Sequence, residues 1–203
     1  MWKRLKASVV RNNMLRVLLF TFVLASGLLL GMEASFAGEQ APFRLVPGHP
    51  PAPKLKLLNM DGQQVNLEKL RGQVVLVNFW ATWCPPCRRE MPSLQRLWQK
   101  LGKSKLQIVA VNVGEDADTV LGFMGTLDNL PTFPIVFDKD SAVLRAWPVK
   151  GLPTTFLIDR KGRIIYRAIG GRDFDSPESI RLIQELLASK NEVEVTSRPV
   201  KSK

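Results

Sequence analysis

Apolar residues along this chain come in short runs separated by polar, turn-forming clusters. Val74 to Trp80 is apolar except at Asn78, and Leu106 to Val113 is a second such run. Runs of this kind belong to strands covered on both faces. Between them Met91, Leu94, Trp98 and Leu101 recur at helical spacing, so strand, helix and strand follow one another. Two buried strands joined by a helix are expected to lie parallel, with a right-handed crossover.

The flanking pattern fills out the domain. Leu55 to Leu58 and Val65 to Leu67 bracket Asp61-Gly62, a hairpin turn signal. Thr119 to Leu127 reads as a helix behind the acidic stretch Glu115 to Asp118, which suits a helix N-terminus. Ile135 to Phe137 is a short strand and Ala142 to Trp147 a short helix. Thr154 to Ile158 is a strand that turns through Asp159 to Gly162 into an antiparallel partner, Ile164 to Ala168. Ser176-Pro177-Glu178 carries the N-cap, first-turn proline and early acid of a final helix, whose stripe is Ile180, Ile183 and Leu187. The fold class is therefore α/β: a central mixed sheet flanked by helices, with an N-terminal β-hairpin, over residues 54–189. That length supports a sizeable core. Residues 190–203 form a polar C-terminal tail.

The first 37 residues follow a different pattern. Five basic residues up to Arg16 precede a charge-free run of 16 residues from Val17 to Met32, and small residues follow at Ser35 and Ala37. This is the layout of a signal peptide cleaved after Ala37. An uncleaved membrane anchor over residues 17–38 is the alternative, and in either case the basic end stays cytoplasmic while the rest is exported. The expected place is the periplasm or the extracytoplasmic face of a bacterial membrane, with membrane contact only through this segment. Residues 38–53 hold five prolines and read as a semi-rigid linker.

Charge and composition then remove whole classes of function. Lys and Arg number 29 against 18 Asp and Glu, a net of +11. The first 37 residues carry +4 and the last 14 carry +2. The remaining +5 is interleaved with acids rather than gathered in a stripe, so nucleic acid is not an expected partner. Two cysteines and one histidine cannot supply a disulfide framework, a four-thiolate zinc site or a multi-histidine metal centre. The histidine, His49, sits in the Pro-rich stretch and reads as a solvated loop residue.

What chemistry remains is at Trp83-Cys84-Pro85-Pro86-Cys87, where a strand ends and a helix begins. Cys84 falls at the N-cap, Pro85 and Pro86 in the first turn, and Cys87 at the third helical position. Proline is tolerated in that turn because its N–H groups lack helical partners anyway. The partial positive charge of a helix N-terminus favours a thiolate at Cys84, and a Cys-X-X-Cys thiol there can titrate well below ~8.5. Cys87, one turn on, is within disulfide reach. The pair can cycle, Cys84 attacking a disulfide and Cys87 resolving the mixed disulfide. Cys84 is expected to be exposed and Cys87 shielded. A structural disulfide and a metal site are the other readings. The first gains little from closing so short a loop, and the second needs two further ligands. Pro153, in Gly151-Leu152-Pro153-Thr154, stands just ahead of a strand; a cis bond there would free the Leu152 backbone for an extended substrate beside Cys84.

These residues resemble the thioredoxin superfamily, and within it the TlpA/ResA-type thiol–disulfide oxidoreductases. The likeness rests on Val77 through Cys87, on Glu90-Met91-Pro92, and on Gly151 through Asp159, and it covers roughly residues 50–189. It implies a thioredoxin-like three-layer fold, Cys84 as nucleophile, Cys87 as resolving thiol and a cis Pro153 beside them. No cofactor and no metal are expected. The resemblance further implies disulfide-containing exported proteins as substrates, often in cytochrome c maturation, with a transmembrane thiol reductase as electron donor. The buried acid of thioredoxin falls at Asn78 here, and an amide cannot carry a proton. Glu90 is the replacement, one turn from Cys87 on a face with Leu94 and Leu97, where apolar neighbours raise a carboxyl's pKa. The alternative for Glu90 is a solvated glutamate paired with an arginine. Pro92 is expected to kink the helix. Trp83 reads as an exposed contact residue which, with Pro85, Pro86 and Leu152, would meet the substrate; Trp80 and Trp98 read as core.

The function expected is thus an exported thiol–disulfide oxidoreductase acting as a reductant. A disulfide oxidant or isomerase of the same fold, a copper-handling protein and an assembly module are the alternatives.

Overall fold

A computed structural model describes residues 41–102 and 106–189. Residues 1–37, expected to be a signal peptide or anchor, and the tail 190–203 lie outside the described residues. Among the described residues there are eight strands: β1 (Arg44–Leu45), β2 (Lys56–Leu58), β3 (Gln64–Asn66), β4 (Val74–Trp80), β5 (Leu106–Val113), β6 (Ile135–Asp138), β7 (Thr154–Ile158) and β8 (Ile164–Ile169). The helices are α1 (Pro85–Leu101), α2 (Ala117–Met124), α3 (Ala142–Ala146) and α4 (Pro177–Ala188). A six-stranded sheet has the order β1-β8-β7-β4-β5-β6, and β2 pairs with β3 in a separate antiparallel hairpin.

The sheet is mixed, as the sequence implies. β4, β5 and β6 are parallel, whereas β7 runs antiparallel to β4, and β8 to β7. All seven residues of β4 are buried, and its side chains alternate between two cores. Val74, Leu76 and Trp80 face Met91, Leu94 and Leu97 of α1 and Ile183 and Leu186 of α4. Val75, Val77 and Phe79 face the opposite way, toward Leu55, Trp147 and Phe156. Phe79, Trp147 and Phe156 form an aromatic triangle with ring centroids 5.1 to 6.0 Å apart. The period-two alternation of a strand thus places Asn78 on the same side as α1.

Several boundaries shift from the sequence reading for local chemical reasons. α2 begins at Ala117 because Asp116 caps it, its side chain accepting from the Thr119 N–H. The stripe of α4 runs through Ser179, Ile183 and Leu186, with Ile180 and Leu187 only half-buried. α1 runs without interruption through Pro92. Trp98 is half-buried against the core rather than inside it.

The Pro-rich stretch carries more structure than its composition suggests. Its described part, residues 41–53, lies along β8 and does not stand clear of the domain. Arg44 and Leu45 pair antiparallel with Arg167 and Tyr166. Val46 N–H donates to Ile165 O, Ile164 N–H to Pro50 O and Ala52 N–H to Gly162 O. Proline suits such an outer edge, where the missing N–H would face away from the sheet.

Candidate active site

β4 ends at Trp80, and a three-residue turn carries the chain into α1. Cys84 is the N-cap with extended backbone, Pro85 and Pro86 occupy the first turn, and Cys87 follows. Cys84 N–H donates to Ala81 O at 3.3 Å, and the Arg88 N–H returns to Cys84 O at 3.1 Å. The two cysteines are joined as a disulfide, with Cα atoms 5.3 Å apart. The expected contrast in exposure does not hold in this state. Cys84 is 3% exposed and Cys87 0%. With both cysteines buried, what the surface presents here is Trp83, 66% exposed, and the ring of Pro85.

Glu90 lies one turn beyond Cys87 and is buried, 2% exposed. A solvated, arginine-paired surface glutamate is therefore not what the fold holds. Asn78 Nδ2 donates to its Oε1 at 2.8 Å, and the Arg172 backbone N–H donates to its Oε2 at 3.3 Å. Asn78 Nδ2 also reaches Thr155 Oγ1 on β7 at 3.0 Å. Burial pushes the Glu90 carboxyl up to about 8, against the smaller pull of Asn78 and of Arg172, which favour the charged form.

The other wall comes from β7 and β8. Phe79 is opposite Thr154, so Pro153 stands at the end of the sheet where β4 gives way to the cysteines. The Leu152–Pro153 bond is cis. Pro153 is buried and its carbonyl accepts from Gly170 N–H at 2.8 Å, while Leu152 is half-buried. Gly171 lies directly against Pro86: a Cβ at 171 would come within 3.0 Å of the Pro86 Cβ. The cysteines, Glu90, Pro153 and the proposed contact residues Trp83, Pro85, Pro86 and Leu152 are thus gathered at one end of the sheet.

Two members of this site escaped the sequence reading. Glu115 was legible only as part of an acidic helix start. Instead its carboxylate turns to the redox loop and accepts from Thr82 N–H at 2.8 Å, from Thr82 Oγ1, and from Asn112 Nδ2 at 2.7 Å. Arg172, in a polar loop, is 6% exposed. Among the described residues no three His, Cys, Asp or Glu side chains gather as a metal site would require.

The family model described as Redoxin matches residues 38–180. The thiol-disulfide oxidoreductase ResA of Bacillus subtilis (strain 168) is 38% identical over 133 residues, covering 66% of this chain and 71% of that protein. The thiol-disulfide oxidoreductase ResA of Geobacillus thermodenitrificans (strain NG80-2) is 44% identical over 113 residues. That match covers 56% of this chain and 64% of the relative, so the chain spans less than two thirds of its length. Among solved structures, a thiol:disulfide interchange protein of the thioredoxin family from Chlorobium tepidum TLS is similar with a TM-score of 0.59 and 27% identity. It covers 72% of this chain and 99% of that one.

Proposed function

The chain belongs to the Redoxin family, among its ResA-type members, and we propose that it is an exported thiol–disulfide oxidoreductase that reduces disulfides in extracytoplasmic proteins. The observation that carries this reading is the Cys84–Cys87 disulfide at the N-terminus of α1, with a buried carboxyl one turn behind it. A structural disulfide would have no use for that acid.

In the reduced protein the Cys84 thiolate attacks one sulfur of a substrate disulfide. A Cys84–substrate disulfide forms and the other substrate sulfur leaves as a thiolate. Glu90, as carboxylate, takes the proton from the Cys87 thiol. The Cys87 thiolate then attacks Cys84 Sγ, closing the Cys84–Cys87 disulfide and releasing the second substrate thiolate, which is protonated by water. Two electrons have moved from the chain to the substrate. The product of this sequence holds a disulfide above a protonated Glu90, which fits a carboxyl pushed up to about 8 in the disulfide form. Leu152 and Pro153 would flank an extended substrate segment, with Trp83, Pro85 and Pro86 as the exposed contacts.

Export through residues 1–37 agrees with a substrate outside the cytoplasm. A transmembrane thiol reductase would restore the dithiol, and apocytochrome c is a fitting substrate class. The test is a redox titration of the Cys84–Cys87 couple against dithiothreitol, with substrate turnover measured in parallel. A potential near the thioredoxin value of ~−270 mV, with turnover, is expected. A value near ~−120 mV would assign the chain to the oxidants. Absent turnover would leave the copper-handling or assembly readings.

A further inference from the structure

The Glu90 carboxyl is held from below by Asn78 on β4, with Thr155 of β7 behind that amide. Cys87 precedes it on its own helix. From the loop before α4 comes Arg172, whose guanidinium is buried between the distant residues Ala41 and Phe43 and the nearby Phe174 and Ser179. Nη1 donates to Ala41 O at 2.8 Å, and Nη2 donates to Ser179 Oγ at 2.9 Å. The guanidinium carbon lies 3.8 Å from the centre of the Phe43 ring and 5.8 Å from that of Phe174. Ala41 N–H donates back to Gly171 O at 3.3 Å, so arm and loop are stitched in both directions. Glu178 and Asp173 add negative charge beside the guanidinium.

We propose that Arg172 is a positioning residue for Glu90, clamped in place by the N-terminal arm Ala41–Phe43, so that the arm is part of the redox site. The physical case has two parts. The Arg172 backbone N–H grips Glu90 Oε2, and the side chain's bonds to Ala41 and Ser179 fix where that N–H points. The guanidinium also supplies a buried positive charge toward Glu90, favouring the carboxylate that must exist before a proton can be taken from Cys87. Burial pulls Arg172 down only to about 10, so the charge persists at neutral pH. Stacking on Phe43 compensates the guanidinium for its lost water.

This inference rests on the proton role proposed for Glu90, yet it is tested without substrate. The Glu90 carboxyl of the full chain in its disulfide form is titrated by carbon-13 NMR, for wild type and for Arg172→Met, Arg172→Lys and Phe43→Leu. Every variant keeps the backbone N–H of residue 172, so the side chain alone is probed. Arg172→Met should move the Glu90 midpoint about one pH unit higher, the scale of losing a nearby opposite charge. Arg172→Lys should recover most of that shift although its melting temperature falls, because it keeps the charge and loses the fork. Phe43→Leu should shift the midpoint in the same direction by less. If Arg172→Met folds with an unmoved midpoint, or Arg172→Lys shifts as far as methionine, the proposal is overturned. Should the methionine variant fail to fold, an unmoved midpoint in Phe43→Leu overturns it. Failure of the reductant reading would appear instead as a wild type without turnover.

Discussion

Asn78 Nδ2 donates to Glu90 Oε1 at 2.8 Å, while Asn78 Oδ1 is buried without a partner. The amide therefore stabilises one form of the acid. It offers a hydrogen to a carboxylate and leaves its own acceptor idle. A protonated Glu90 could use that acceptor only if the amide turned over, exchanging its donor and acceptor ends. The pair joins β4 to α1 beneath the disulfide, so the carboxyl's protonation state is coupled to the orientation of a buried amide.

Asn78→Asp would set a second carboxyl within about hydrogen-bond distance of the first. Two buried carboxyls that close cannot both ionise, so they share one proton and titrate as a pair. The variant should be near wild type at pH 5, where both carboxyls hold protons, and about 2–4 kcal/mol less stable at pH 8, where one proton leaves and the pair, sharing the other, carries an uncompensated buried charge. Urea unfolding at the two pH values reads this. Equal losses at both would mean that the cost of the acid does not come from sharing a proton with Glu90.

Glu115→Ala removes an acceptor from Thr82 N–H, Thr82 Oγ1 and Asn112 Nδ2 together. Bonds to a charged acceptor are worth ~1.5–3 kcal/mol each before solvent returns to the gap, so a net loss of about 2 kcal/mol is expected. Hydrogen exchange at Thr82 and Trp83 should quicken far more than at β5, because the turn is what Glu115 holds. Uniform quickening across the sheet would show Glu115 to be a general stabiliser and not the anchor of the redox loop.

How far the sequence foretold this site follows from the range of the interactions. β4 and β5 were legible because both faces are apolar, and Asn78 stood out as the polar break in that run. Cys84 and Cys87 declared themselves by spacing, and Glu90 by its helical phase against Leu94 and Leu97. Arg172 was hidden because its clamp, Ala41, is 131 residues away and an arginine between Gly171 and Asp173 resembles any solvated loop cation. Glu115 was hidden among neighbouring acids, of which Asp116 is the one that caps α2. The strand Arg44–Leu45 has two residues amid prolines, too few for any period to show. The low exposure of Cys84 is not legible in the sequence, because an N-cap position does not say what covers its side chain.

Cys87→Ser should trap substrate. Cys84 keeps its place at the start of α1, where the helix terminus favours its thiolate, but nothing follows to resolve the mixed disulfide. Incubation with a disulfide substrate should give a covalent adduct by mass spectrometry, while Cys84→Ser gives little. In the reduced wild type, alkylation should reach Cys84 first. An adduct that forms mainly through Cys87 would reverse the two roles.

The sharpest pH signature belongs to Glu90. Its carboxyl is pushed by burial from an ordinary 4.5 up to about 8 in the folded disulfide form. A group whose folded pKa is raised binds its proton more tightly in the native state, so its contribution is fully present below about 4.5 and is lost as pH climbs through about 8. Between those limits the native state holds one proton more than the unfolded chain, and stability should fall by up to ~1.4 kcal/mol per pH unit. Glu90→Gln keeps the size and one acceptor but cannot titrate, so the variant should lose this slope. It will be weaker at pH 5, where its amide nitrogen faces a donor, and should overtake wild type or draw level by pH 8. Near neutral pH its dithiol exchange should slow as well, because Cys87 must then give its proton to solvent. Denaturation of the disulfide forms at half-unit intervals from pH 5 to 8.5 checks the slope. Parallel curves for the two proteins would mean that Glu90 titrates alike in the folded and unfolded chain, too weak a base to keep the proton taken from Cys87, which would have to go elsewhere.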